Sequence, residues 1–164
     1  MPYALQSMLR IRAMREDRAS AELSAARQEV RKANEALEEQ KRVLKEYEDT
    51  KEERRDRIFE SVIGRSVSRE DLDRALEGVS RIDEEGVLKA DNVTMAASVL
   101  KKKEEEASQA RAVFVKATKE RMKISEHKAM WVEAELKEEE HRLEVELEDF
   151  TGKKNTENSN DDWN

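Results

Sequence analysis

The chain has no cysteine, one proline, four glycines and only 4% aromatic residues in 164. Without cysteine there is no disulfide framework, thiolate metal site or cysteine nucleophile, a composition that suits a reducing compartment. With so few large side chains, a compact globular core is not expected. The lone proline, Pro2, leaves the remainder free of the strongest helix breaker. No apolar run approaches the ~20 residues needed to span a bilayer, so direct membrane insertion is not expected. The start, MPYALQSMLRIRAMRE, alternates Arg with apolar residues and lacks the apolar h-region of a signal peptide. Basic excess is missing too: the net charge of −7 argues against nucleic-acid binding, which wants a basic face. Together these absences describe a soluble cytoplasmic protein.

What the chain does have is charge. Charged residues make up 43%, against 37% hydrophobic, and Ala, Glu, Lys, Leu and Arg dominate. Such a mixture belongs either to disorder or to long helices and coiled coils. Periodicity decides. From Leu5 a 4-3 spacing runs without a skip through Leu9, Arg12, Glu16, Ala19, Leu23, Ala26, Val30, Ala33, Leu37, Gln40, Leu44, Tyr47, Lys51, Arg54 and Ile58. A sustained heptad with charged flanks is the coiled-coil signature. The small positions Ala19, Ala26 and Ala33 favour close approach of a second helix. Gly64 suits the C-terminal cap.

The middle reads differently. Ser68 followed by Arg69, Glu70 and Asp71 is an N-cap with acids in its first turn. Leu72, Leu76, Val79 and Ile82 follow at helical spacing up to Glu84-Glu85-Gly86, which reads as a stop. The second long helix then starts near Asn92, with a stripe of Leu100, Ala107, Ala110, Phe114 and Ala117. That stripe shifts by one residue and continues as Met122, Ala129, Val132, Leu136, Leu143 and Phe150, which reads as a stutter. The expected organisation is one unit over 1–150, with a helix at 4–63, an apical region at 65–91 and a helix at 92–150. The polar, aperiodic segment 151–164 is expected to be a disordered tail.

Two long helices of similar length joined by a short apex must pair antiparallel. The fold class expected is all-α, a long antiparallel two-helix coiled-coil hairpin with a short apical helix. Arg10, Arg12, Arg15 and Arg18 at one end would then face the acids between Glu133 and Asp149. An elongated monomer follows.

Catalytic signatures are lacking. His127 and His141 are too far apart for an i, i+4 metal pair, and neither HExxH, a GxxxxGK-Ser/Thr P-loop nor GxGxxG occurs. A two-helix surface offers its carboxylates no cleft in which to shift their pKa values. No enzyme activity, metal or cofactor is expected. The surplus of apolar residues lies elsewhere. Tyr3, Ala4, Met8, Ile11 and Met14 accompany Leu5 and Leu9 at the open end, and Met130, Trp131, Val132, Leu143, Leu147 and Phe150 lie on the partner helix. They either seal a fraying end or form a docking surface. At the apex, Ile58, Phe59, Val62, Ile63, Leu72 and Leu76 are expected to pack together as a small core, with a partner site as the alternative.

Three stretches carry a family resemblance: LQSMLRIRAMREDRASAEL at the start, IFESVIGRSVSREDLD at the apex and EHKAMWVEAELKEEEHRLEVELEDF near the end. In this order they resemble the YscO group of the YscO/FliJ type III secretion proteins, over about residues 3–150. The apex departs from the plain hairpin of the flagellar relative FliJ by an extra helical insertion. The resemblance implies a cytoplasmic, non-enzymatic stalk whose open end sits in the central pore of the hexameric export ATPase. It also implies contacts with the export gate protein, translocator chaperones and the needle-length regulator. Mapped onto this chain, the pore end would be Leu5, Met8, Leu9, Arg12 and Arg15 opposite Trp131, Leu143 and Phe150. Phe59, Ile63, Leu72 and Leu76 at the apex would be structural or meet a partner. The residues themselves leave two further readings open: a holdase-like export chaperone, or a structural coiled coil that dimerises through spare seam positions.

Overall fold

A computed structural model describes the backbone of residues 3–158 and the side chains of residues 3–148. Two α-helices account for almost all of it: α1, Gln6–Glu60, and α2, Arg69–Asn158. They pack against each other as an all-α antiparallel hairpin. The chain divides into two compact units, Met1–Arg18 with Phe114–Asn164, and Ala19–Val113.

The turn lies within the second unit. At the end of α1, the amides of Val62 and Ile63 both donate to the Phe59 carbonyl, at 3.0 and 2.8 Å, which satisfies groups the helix leaves orphaned. Gly64 then adopts φ +74°, the left-handed conformation that ends helices and that only glycine enters without strain. Ser68 opens α2 through a reciprocal cap. Its hydroxyl accepts the Asp71 amide at 3.1 Å, while its own amide donates to the Asp71 carboxylate at 3.3 Å. The Ser68 hydroxyl bond to that carboxylate holds Asp71 below its ordinary pKa.

From Ser68 onward the structure corrects the expected boundaries. α2 does not stop at Gly86 or restart at Asn92; the helix is continuous, so there is no separate apical helix. A glycine inside a helix costs only about 1 kcal/mol relative to alanine, and no proline follows to end the helix. The helical backbone also runs on to Asn158, into the segment expected to be a disordered tail; residues 159–164 lie outside the described residues.

Gly86 has a packing role instead. A Cβ there would sit 3.1 Å from Tyr47 Cε1, and at Gly78 it would sit 3.1 Å from Ile58 Cδ1. Each glycine is a hole for a large α1 side chain. The Tyr47 ring is buried over Gly86, its hydroxyl donates to the Ile82 carbonyl, and Arg54 and Lys89 each approach the ring centroid at 5.3 Å. Around it, Lys51 pairs with Asp83 at 2.9 Å and Arg54 with Glu85 at 3.1 Å. The Lys51 bond holds Asp83 below the ordinary carboxylate range, and the same bond raises Lys51.

Every α1 position expected in the seam from Leu5 to Ile58 is buried or half-buried. The matching stripe on α2 runs through Ala75, Val79, Ile82, Gly86, Lys89, Val93, Ala96, Leu100, Lys103, Ala107 and Ala110 in the second unit. The apex core is smaller than expected. Ile58, Phe59 and Val62 are half-buried, Ile58 against Gly78, whereas Ile63 (70% exposed), Leu72 and Leu76 (54%) face solvent. The tight turn lets the seam close with small residues, and these three fall on its outer side.

Two measurements check this arrangement. Gly78→Ala should raise the melting temperature, because Ile58 Cδ1 is the end of a flexible chain and the helix gains up to about 1 kcal/mol in propensity. Gly86→Ala should lower it by about 1 kcal/mol of stability, because the Tyr47 ring is held at its hydroxyl and flanked by Arg54 and Lys89, so it does not move aside readily. Equal shifts at the two sites would contradict the packing. A pH series gives the second check. Asp83 is depressed, so its contribution is present above its ordinary value of 3.8 and lost as pH falls through the lowered value. Lys51 is raised from 10.5, so its contribution is present below that value and lost as pH rises through the raised one. Thermal stability should hold between these limits, and Asp83→Asn should flatten the acid limb.

Candidate protein-interaction site

In the unit that holds the start of α1, the seam begins with an aromatic cluster. Tyr3 is buried, shares a 2.8 Å hydrogen bond with His127 Nδ1, and lies 5.4 Å from the Trp131 ring at a 46° tilt. That centroid separation is within the contact range of aromatic pairs. Leu5 and Leu9 are half-buried behind it. One turn further in, a polar layer crosses the seam: Arg12 pairs with Glu120, and Glu16 with Arg121. These two charged α1 seam positions thus meet two α2 residues of opposite sign.

This layer explains why the stripe of α2 was misread. There is no stutter: after Phe114 and Ala117 the half-buried face continues through Glu120, beside the exposed Arg121, to Ile124, Lys128, Trp131 and Glu135 in the same phase. Met122, Ala129, Val132, Leu136 and Leu143 are exposed. A reading that follows apolar residues jumps the polar layer and lands on the next face.

The expected site residues therefore separate. Tyr3, Leu5, Leu9 and Trp131 seal the end of the seam. Arg12 is committed to Glu120. Met8, Arg15 and Leu143 are exposed, as are Ile11, Met14 and Met130 nearby. The Phe150 side chain lies outside the described residues. Of the apical residues, Phe59 is half-buried, and Ile63, Leu72 and Leu76 are exposed at the turn. Some of the surplus apolar residues thus close the end of the seam, and the others stay exposed. Sequence reasoning missed Glu120 and Arg121; the signal was available in Arg12 and Glu16, whose place in the seam required partners of opposite charge. His141 is exposed, 4.0 Å from Glu144, and among the described residues no group of three or more His, Asp or Glu is placed to hold a metal ion.

The comparison with known families bears on the same stretch: residues 5–153 match the family model of the type III secretion protein YscO. This chain belongs to the YscO family. The match spans both helices and the turn, so the YscO assignment covers the sealed end, the polar layer and the apex alike. No curated protein and no solved structure matches the chain. Among the described residues no helix of this YscO member is long and apolar enough to cross a membrane.

Trp131→Ala should unlatch the start of α1. The half-buried ring accounts for about 1–2 kcal/mol, roughly half to two-thirds of what full burial of such a side chain supplies. Amide exchange should accelerate at residues 5–12 and stay unchanged around Tyr47; uniform acceleration along α1 would contradict a local seal.

Proposed function

We propose that this YscO-family chain is a non-enzymatic stalk component of the bacterial type III export apparatus. In this reading it works in the cytoplasm beside the inner-membrane machinery. The unit with the start of α1 docks in the central pore of the export ATPase hexamer. Other parts of the hairpin couple that enzyme to the export gate protein and receive translocator chaperones and the needle-length regulator. Family membership supports the secretion context. The observation that supports docking is an end whose seam is already closed by Tyr3 and Trp131 yet which still exposes Met8, Ile11, Met14 and Leu143. Apolar side chains not needed to close the fold are those available to a partner. Ile63, Leu72 and Leu76 at the turn supply a second such surface, suited to the gate. Exposed charges on the helices favour many weak contacts that form and break readily.

The test is the activity and hexamer formation of the partner ATPase with and without the chain. Stimulated hydrolysis and a stable complex are expected. Arg15→Glu should weaken the contact by about tenfold, or 1.4 kcal/mol, with no change in melting. Arg12→Glu breaks the pair with Glu120, so its effect on docking should be read in the Arg12→Glu, Glu120→Arg exchange, which restores the pair. No complex and unchanged hydrolysis would overturn the proposal.

A further inference from the structure

The exposed stripe of α2 has a period of its own. Met122, Ala129, Val132, Leu136 and Leu143 recur at spacings of seven, three, four and seven, all on the solvent side, with Leu136 54% and Leu143 60% exposed. Isolated exposed apolar residues need no explanation, but apolar residues in heptad phase along one helix face do. This stripe follows the intramolecular seam by one residue, a rotation of about 100° around the helix. The two faces also exchange character along α2. The seam face turns polar, with Lys128 and Glu135 half-buried and Glu138 and Arg142 exposed at the next positions in phase. Over the same turns the outer face becomes apolar. The helix thus stops specifying α1 and starts specifying something else.

We propose that this outer face of α2, over residues 129–143, is a second coiled-coil seam that takes a basic amphipathic helix of another protein. The period argues for a helical occupant, since a 3.5-residue repeat fits knobs of a facing helix and little else. The flanks argue for its charge. Eight glutamates stand between Glu133 and Glu148, against Lys137 and Arg142. Those two cations are engaged along the same helix, Lys137 with Glu133 at 2.8 Å and Arg142 with Glu138 at 4.0 Å. A second copy placed on the same stripe would set Glu133 and Glu140 against their own kind, and like charges across a seam disfavour pairing. A helix with Lys or Arg beside its apolar stripe matches both features. The inference stands whichever secretion component supplies that helix, and it does not rest on the ATPase reading.

The full chain can be titrated with two labelled three-heptad peptides that share Leu and Ile at their core positions and differ only in carrying Lys or Glu at the flanks. The Lys peptide should bind and gain helicity, and the Glu peptide should bind at least about tenfold more weakly. Leu136→Glu and Leu143→Glu should each cost about tenfold for the Lys peptide with melting unchanged, since both side chains are exposed. Met95→Glu, an equally exposed apolar residue in the other unit, should leave binding as it was. Equal binding of the two peptides, no binding of either, or indifference to both leucine substitutions would overturn the proposal. So would a concentration-dependent dimer in sedimentation that the same substitutions abolish, because the face would then serve a second copy. No ATPase is present in this experiment, so its failure would leave the stalk reading standing, and the converse holds.

Discussion

The seating of the Tyr47 ring over the bare backbone of Gly86 fixes the pairing on which the rest of the hairpin depends. Layers of Ala and Leu are nearly interchangeable, so two such helices slipped by one heptad would lose little apolar contact. Tyr47 removes that ambiguity. Its ring fits only where α2 lacks a Cβ, its hydroxyl reaches the Ile82 carbonyl, and its faces meet Arg54 and Lys89. The half-exposed pairs Lys51–Asp83 and Arg54–Glu85 are individually weak, yet they share this one register. Specificity here comes from a hole and a hydrogen bond, and bulk stability from the seam.

The same division recurs in the other unit. Arg12 with Glu120 and Glu16 with Arg121 alternate in sign along each helix, so a shifted pairing would set like charges together. Polar residues in a coiled-coil seam cost stability and select alignment. Closing the seam with Tyr3 and Trp131 then leaves Met8, Met14, Leu136 and Leu143 outside it. That surplus underlies both the proposed stalk function and the second helical face.

Much of the fold was legible because α1 obeys one rule throughout: its 4-3 positions from Leu5 to Ile58 are the buried face, and the caps at Gly64 and Ser68 carry recognisable chemistry. α2 was less legible because its seam uses residues that local rules assign elsewhere. Gly86 reads as a stop until the Tyr47 ring is seen above it. Lys89, Lys103 and Lys128 read as surface, although all three are half-buried along the seam, where long stems can lie over apolar neighbours. Of the site residues, Leu5 and Leu9 were recognisable as seam, whereas Trp131 fell outside an α2 stripe traced through the exposed Val132, and the exposure of Ile63, Leu72 and Leu76 depends on the path of the turn, which no period encodes. The family, by contrast, was legible from three ordered motifs, which fall within the matched residues.

The eight-residue turn between Glu60 and Arg69 has a kinetic consequence. Contacts near it join residues close in sequence, Tyr47 with Ile82 across 35 positions, whereas Arg12 meets Glu120 across 108 and Tyr3 meets His127 across 124. Helices joined this way close like a zipper from the turn, each new layer needing only a short loop once the previous one has formed. Tyr3 and Trp131 are therefore the last teeth to engage and the first to part.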